Sequence, residues 1–565
     1  MLTAVRQLNV SKLPEITRVR MIPDGIPPSP PSSGKLLPSS RGIQTPTKIK
    51  LNLHNVKQIP VKHPNKLLTF WSKLPLKHKI LIGIGLFMVI CAIAIIPPVV
   101  VATSRIITST TAPTTTTYAC ASTTCLKSLT SFHASTIAFW LFDSTFNDVN
   151  NIYTGFGYGS PSYSSTYAYL GQAIYLTGSS YVYVSTQFMN LTYQSFTIEG
   201  WIYLASVTSE RGIFGQCASS TTTNQCLDLS VKSGHLHMGF QNDDISGATL
   251  LVTSKWYHVA FVYDSSSLQQ TIYLNGVLDG TTAGSGTSSG PYLGTSGSTT
   301  IGLTVSSNYF SGYIDHLIVT SGAKTACQIL NDATLTAYYP FDSGSYYDYG
   351  INYQNGNGNQ LTSVTGRVNQ GILFSATTSY FQTQGFTATA GYAASQPFTI
   401  ALWVKPTSVV GGTLVHISTA AAGTTSGTYN ACFDLLGLTS GGYLIAQIFT
   451  TTSCCYSSST TAITGPLLSV NVWTHIVVSY SSSNGLKLYI NSTLNSFSSS
   501  SLASFPTSVY TTQPYVTIGN ASPSGTAPSC ITSTSSPGVF LGIIDELYIY
   551  SRELTTTEIC ALANP

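Results

Sequence analysis

Charge is scarce in this chain. Lys, Arg, Asp and Glu supply 8% of its 565 residues, against roughly 25% in an average soluble protein. A disordered polyelectrolyte is excluded, since such chains pair low hydrophobicity with high net charge, and here 43% of residues are apolar. A formal net charge of only +4 also speaks against nucleic acid as a partner, because phosphate neutralisation needs clustered Lys and Arg. No C-x-x-C pairs stand at zinc-finger spacing and no H-E-x-x-H occurs, which removes the usual zinc motifs. Beyond about residue 130 there is almost no sustained 3.6-residue periodicity. What remains is weakly charged, Tyr-rich and Ser/Thr-rich, the composition of extracellular β-structure.

The few charges are divided unevenly. Residues 1–80 hold fourteen Lys and Arg against only Glu15 and Asp24, a net of +12, while the remainder of the chain is −8. Residues 80–102 between them are uncharged and apolar. As a helix that run spans about 34 Å, enough to cross a bilayer core. Lys77, His78 and Lys79 precede it and only Arg105 follows closely, so the positive-inside bias puts the N-terminus in the cytosol. The 79 residues ahead of the run are too many for a cleaved signal peptide. The expectation is a single-pass type II protein of the plasma membrane with its C-terminal part outside. Residues 1–79, basic and with eleven prolines, read as a disordered cytosolic tail. Residues 103–129 read as a Ser/Thr-rich stalk.

The rest is strand-like runs between Gly, Ser and Asn. Period-two alternation puts Phe196, Ile198 and Ile202 on one face and Thr197, Glu199, Trp201 and Tyr203 on the other. An internal repeat sets the layout. Ala138–Ser144 matches Ala337–Ser343, and Phe196-Thr197-Ile198 with Trp201 matches Phe398-Thr399-Ile400 with Trp403. Trp256 and His258, with the later Tyr273-Leu274-Asn275, match Trp473 and His475 with Tyr489-Ile490-Asn491. Gly312-Tyr313-Ile314-Asp315 matches Gly542-Ile543-Ile544-Asp545. The order is kept while the loops lengthen in the second copy. The predicted fold is all-β: two tandem antiparallel β-sandwiches over residues 130–333 and 334–565, preceded by the transmembrane helix and the disordered tail.

This ordered series, F-T-I-x-x-W, W-x-H, Y-L/I-N and G-x-I-D, resembles the LamG-like jelly-roll domains of the concanavalin A-like lectin/glucanase superfamily. The resemblance covers both units and none of the tail, span or stalk. It implies sheets packed face to face and binding of glycans or proteins on a concave surface. It also implies that some relatives are glycosidases, which resemble one another in an E-x-D-x-x-E strand. Beyond the predicted membrane span, on its C-terminal side, this chain has five glutamates, Glu199, Glu210, Glu546, Glu553 and Glu558, and none makes that pattern. Asp545 and Glu546 are adjacent, and neighbours on a regular strand point to opposite faces. The chain is expected not to be an enzyme.

Asp315 is read as sharing a face with Leu317 and Val319, and Asp545 with Ile543 and Leu547, where an unpaired carboxylate is costly. The resemblance implies a structural calcium near the terminal strand, for which Asp315 and Asp545 match the placement and Asp143 and Asp342 lie near the first strand. The other reading is that these aspartates accept main-chain N–H bonds in turns. Trp201, Tyr203 and Trp403 are the candidate ligand-binding rings. They stack on sugar or anchor a protein partner if their face is open, and otherwise pack beneath a crossing loop.

Eleven cysteines are present, and ten lie beyond the predicted span, an even number that suits an oxidising compartment. Cys217–Cys226 is the expected bridge of the first unit, with Cys432 and Cys454 (or Cys455) its counterpart in the second. Asn190, Asn491 and Asn520 head N-x-S/T sequons, expected to carry glycan. The functional expectation is a cell-surface recognition or adhesion protein whose two lectin-like units bind extracellular glycans or glycoproteins. The alternative is a structural or self-associating surface protein that binds no sugar.

Overall fold

The computed structural model describes residues 136–565 apart from 185–186, 284–288, 295–297, 306–307, 386–395, 424–431, 452–457, 499–512, 522 and 524–534. The predicted tail, membrane span and stalk lie outside the described residues. No helix among the described residues is long and apolar enough to cross a membrane.

Two sandwiches follow one another. In the first, an eight-stranded sheet runs in the order Val277–Thr281, Gln269–Leu274, Trp256–Asp264, Phe196–Leu204, Ser311–Ser321, Ala173–Thr177 and Ser162–Ser164, with Thr136–Trp140 also paired to Ser311–Ser321. Facing it, a seven-stranded sheet runs Asp244–Ser246, His235–Gly239, Cys226–Lys232, Arg211–Cys217, Thr299–Ile301, Tyr181–Val184 and Gly155–Tyr158. The second sandwich repeats the plan. Gly542–Tyr550 lies at the middle of its eight-stranded sheet beside Phe398–Pro406, and Leu335–Tyr339 pairs with Gly542–Tyr550. Its seven-stranded sheet is centred on Gly412–Ser418 and Cys432–Leu438.

The alternation read from the sequence holds where the sheets face each other. Phe196, Ile198, Ile202 and Leu204 enter the first core, and Phe398, Ile400, Leu402 and Val404 enter the second. Trp201 belongs instead to a separate outer cluster with Tyr169 and Trp256.

The conserved-looking residues of each copy are framework. Thr197 Oγ1 donates to the Gly322 carbonyl (2.9 Å) and accepts from Lys324 N (3.0 Å), and Thr399 Oγ1 does the same with Arg552 (2.8 Å) and Leu554 (3.1 Å). The threonine thereby ties the chain after the last strand back to the sheet. Asn275 and Asn491 sit in hairpin turns at φ 50° and 47°, a left-handed conformation that Asn tolerates better than most residues. Each carbonyl oxygen Oδ1 accepts the main-chain N–H of the motif histidine, His258 or His475, at 3.0 Å. At Gly312 (φ 139°) a Cβ would lie 2.0 Å from the Tyr203 carbonyl oxygen, so only glycine fits there.

One feature of the last strand departs from the sequence reading. Asp315 pairs with Trp201 but Ile318 pairs with Glu199, so one extra residue is accommodated in a bulge with His316 at φ 48°. The second copy has the same bulge at Glu546, φ 52°. A bulge resets the alternation. Ile314 and Leu317 therefore both face the core, and Asp315 faces out, not onto the face of Leu317 and Val319 as strict alternation required. Asp545 is displaced in the same way from Leu547, which faces the core with Ile544.

Two helices were also not anticipated, α1 (Ala326–Thr334) and α2 (Thr556–Leu562). Each opens with a capping box, Thr325 with Gln328 and Thr555 with Glu558, in which side chain and main chain at the helix start satisfy one another. α1 lays Ile329 on Ala260, Val262 and Tyr273. α2 lays Ile559 and Leu562 on Ala401, Val477 and Tyr548. α1 ends at Thr334 and the first strand of the second sandwich begins at Leu335, so no linker separates the two.

Cys217 and Cys226 face each other across neighbouring strands and are bridged. Cys327, Cys432 and Cys560 are also disulfide-bonded. Cys454 lies outside the described residues.

Candidate functional site

The four aspartates are placed by the bulge and by the first turn of each sandwich. Asp315 is fully buried, and its Oδ2 accepts the main-chain N–H groups of Tyr169 (3.0 Å) and Leu170 (3.1 Å). Asp545 Oδ2 accepts those of Arg367 (2.6 Å) and Val368 (2.9 Å), and its Oδ1 accepts Glu546 N (2.8 Å). Asp143 Oδ1 accepts Gln172 N (2.6 Å) and Asp342 Oδ1 accepts Gln370 N (3.0 Å). In each sandwich, then, two aspartates hold the two ends of one four-residue crossing segment, 169–172 or 367–370.

These oxygens are turned toward N–H donors, the wrong polarity for a cation. Among the described residues no group of three or more His, Cys, Asp and Glu is arranged to hold a metal. The aspartates do not fit the calcium set that the resemblance implied.

The crossing segments also decide what the indoles do. Tyr169 stacks flat on Trp201, centroids 3.7 Å apart and planes 12° apart. Arg367 places its guanidinium 4.7 Å over the Trp403 ring. Both indoles are only 6% exposed, so the packing beneath a loop accounts for them. Tyr203 is half-buried among Tyr167, Trp256 and Tyr313.

Inside the bulge the rule that separates adjacent carboxylates no longer applies. Glu546 accepts from Tyr338 (3.0 Å) and Tyr548 (2.7 Å) on the same outer face where Asp545 meets the crossing segment. Both carboxylates are buried and bonded to protein donors, with burial first and then Glu546 pushing Asp545 up to about 7. A third buried group lies under α1. Lys324 Nζ contacts Glu199 Oε1 and stands 3.0 Å from Asp332 Oδ2, and His258 Nε2 is 3.6 Å from Glu199 Oε2. Burial holds His258 down at about 4. No solvent-facing pair of carboxylates emerges from these groups.

Asn190 and Asn491 are exposed. Asn520 is 4% exposed, and its Nδ2 donates to the carbonyls of Thr377 (3.2 Å) and Ser379 (3.3 Å).

A solvent-facing concavity lies where the sandwiches meet. The seam is built by Phe139 and Ile318 of the first sandwich against Ile351 of the second, with the Phe139 and Tyr353 rings 5.3 Å apart. His316, in the first bulge, spans it: its Nδ1 lies 2.6 Å from Asp315 Oδ1 and its Nε2 lies 2.9 Å from the Asn352 carbonyl. A carbonyl can only accept, so Nε2 carries a proton. Burial alone lowers the His316 pKa, but the Asp315 carboxylate and the Asn352 carbonyl outweigh it and the net shift is upward.

Beside this seam is a cleft of about 490 Å³ whose walls carry Asp143 from the first sandwich and Asn355, Asn357, Gln382, Gln384 and Tyr515 from the second. Among the described residues no Lys or Arg lines it. Gln513 closes one side, its Oε1 accepting Gly171 N at 3.2 Å. Asp143 lies in a repeated motif and was singled out in the sequence for a different role; the others fall outside the repeated motifs and were passed over. The available signal was the amide-rich run Asn352 to Gln360 (N-Y-Q-N-G-N-G-N-Q).

No curated protein matches the chain. Among solved structures, domain 4 of the extracellular arabinanase AbnA from Geobacillus stearothermophilus, in complex with arabinotriose, is 20% identical with a TM-score of 0.29, covering 35% of this chain and 97% of that one. Mouse laminin alpha1 domains LG4-5 are 13% identical with a TM-score of 0.19, covering 76% and 95%. The CBM40 of a Ruminococcus gnavus sialidase, bound to sialyllactose, is 16% identical with a TM-score of 0.22, covering 24% and 80%. A laminin G family model matches residues 176–330 and 375–560, more than half of the chain and both sandwiches. The chain belongs to the concanavalin A-like lectin/glucanases superfamily.

Proposed function

We propose that this chain is a non-catalytic recognition protein of the cell surface whose paired sandwiches bind extracellular glycans or glycoproteins. The single observation that carries the reading is the cleft at the seam. Its walls are neutral amides and tyrosines, groups that both donate to and accept from hydroxyls, and a volume near 490 Å³ is within the roughly 300–1,000 Å³ of ligand sites. Among the described residues the only carboxylate that lines it is Asp143, and glycoside hydrolysis needs two, which supports the non-catalytic reading. Placement outside the cell is supported by the disulfides and by the charge asymmetry around residues 80–102.

The test is a glycan array with the purified full-length chain. Selective binding above background is the expected result, and an array without any signal refutes glycan recognition and leaves protein adhesion. Release of sugar from a bound glycan would refute the non-catalytic part.

A further inference from the structure

The two crossing segments are held alike except at one position. In the second sandwich both oxygens of Asp342 are used, Oδ1 by Gln370 N and Oδ2 by Asn369 Nδ2 at 3.1 Å. In the first, the place of Asn369 is taken by Gly171, which has no side chain. Asp143 Oδ1 still accepts Gln172 N, but its Oδ2 has no protein donor among the described residues, and the residue lines the cleft. Across from it, Asn357 makes no side-chain hydrogen bond among the described residues. Among the described residues Gln384 uses only its Nε2, toward the Gln513 carbonyl at 3.3 Å, which leaves its Oε1, and Asn355 uses only its Oδ1, for Asp348 N at 3.0 Å, which leaves its Nδ2.

We infer that this cleft is a binding site for a short uncharged oligosaccharide, held by Asp143 from one sandwich and by Asn355, Asn357 and Gln384 from the other. The inference rests on the glycan-binding reading and specifies its ligand. An unpaired carboxylate oxygen is an acceptor for sugar hydroxyls, and hydrogen bonds to a charged group are the stronger kind. The amides supply donors and acceptors for the remaining hydroxyls, and Tyr353, 44% exposed, offers a ring face. Acidic sugars are refused on two grounds. Among the described residues no Lys or Arg lines the cleft, and the carboxylate that does is negative, so a carboxylated or sulfated ligand meets like charge without a cation to pair with. His316 also lines the cleft, but both its nitrogens are engaged, by Asp315 and by the Asn352 carbonyl, so it has no N–H left to pair with an acidic ligand.

The experiment measures binding of the full-length chain to uncharged trisaccharides of glucose, galactose, mannose, xylose and arabinose, with sialyllactose as the acidic counterpart. Two variants are compared with the parent. Asp143→Asn keeps an Oδ1 acceptor for Gln172 N but loses the charge, and Asn357→Ala removes an exposed side chain with no structural bond. The expected result is that at least one neutral trisaccharide binds, that each variant weakens it about tenfold or more, and that the melting temperature of Asn357→Ala is unchanged. Tighter binding of sialyllactose than of every neutral sugar overturns the inference. Binding that both variants leave intact also overturns it, while leaving the glycan-binding reading standing. Failure of every sugar, neutral and acidic, refutes both.

Discussion

Lys324 and Leu554 occupy the same place in the two sandwiches: each donates its main-chain N–H to the threonine of the F-T-I motif, Thr197 at 3.0 Å and Thr399 at 3.1 Å. Around Lys324 the first sandwich buries Glu199 and Asp332, while around Leu554 the second buries an apolar cluster with Ala401 and Leu562. One fold thus solves the docking of its terminal helix twice, once with ions and once with hydrocarbon.

The contrast gives a stability prediction. Lys324→Met leaves two buried carboxylates without a cation and is expected to cost about 3–5 kcal/mol. The combined change Glu199→Ala, Lys324→Leu, Asp332→Leu copies the second sandwich, and replacing a whole buried ion cluster by packed apolar groups is often neutral or stabilising. It is expected to recover most of the loss. Urea denaturation of the three proteins checks the order, and a triple variant less stable than Lys324→Met contradicts it.

Asp228 gives a pH-dependent one. Burial, and then the neighbouring Glu210 charge, raises its pKa to about 6. Its folded-state value exceeds its unfolded one, so the fold binds the proton more tightly and this contribution to stability falls as pH rises between about 4 and 6. Asp228→Asn removes the penalty. At pH 7.5 the variant should be more stable by roughly 1–2 kcal/mol, and near pH 4 it should match the parent. Melting curves at the two pH values decide this, and equal shifts at both would rule out the assignment.

His316 titrates in the same sense, over a higher pH range. Its pKa is raised in the fold, so the stabilisation of the protonated ring is complete below its unfolded value, about 6.5, and is lost as pH rises through the folded one. Tyr169, Phe139, Asp315, Asp143 and the Asn352 carbonyl face the ring. His316→Gln, which cannot carry charge, should lower stability more at pH 6 than at pH 9, by roughly 1–3 kcal/mol at the lower pH. A loss that is the same at both pH values would mean the ring acts by packing alone.

Glycosylation offers a readout on the native chain. Asn190 and Asn491 are exposed, whereas the Asn520 nitrogen that would carry sugar is buried against two carbonyls. Peptide mapping before and after enzymatic deglycosylation should find carbohydrate at Asn190 or Asn491 and none at Asn520.

Much of the fold was legible because each repeated motif answers to a backbone requirement. The Thr of F-T-I, the Asn of Y-L/I-N and the Gly of G-x-I-D all satisfy or avoid main-chain groups, and such demands recur in every copy of a fold. The bulge was not legible, since alternation counts residues and a bulge adds one; that single residue moved Asp315 and Asp545 to the other face. The helices left a signal in T-x-x-Q and T-x-x-E, but seven to nine residues are too few for a clear 3.6-residue period. Trp201 and Trp403 were recognisable as outer-face rings, whereas their covers, Tyr169 and Arg367, differ in kind and stand some 30 residues away in sequence. The cleft was the least visible. It is made where the copies differ, by Gly171 in place of Asn369, and a search for sameness passes over it.

The pairing of each sandwich's first strand with its last has a mechanical consequence. Thr136 lies opposite Thr320 and Leu335 opposite Tyr550, so in both sandwiches the chain enters and leaves at the same end of an antiparallel pair. Pulling the two ends of a sandwich apart would therefore peel these hydrogen bonds open in succession rather than shear them together. Such a protein yields like a zip at modest force. The bridge that His316 and its neighbours make across the seam, and any sugar clasped beside it, would be the fastening that resists.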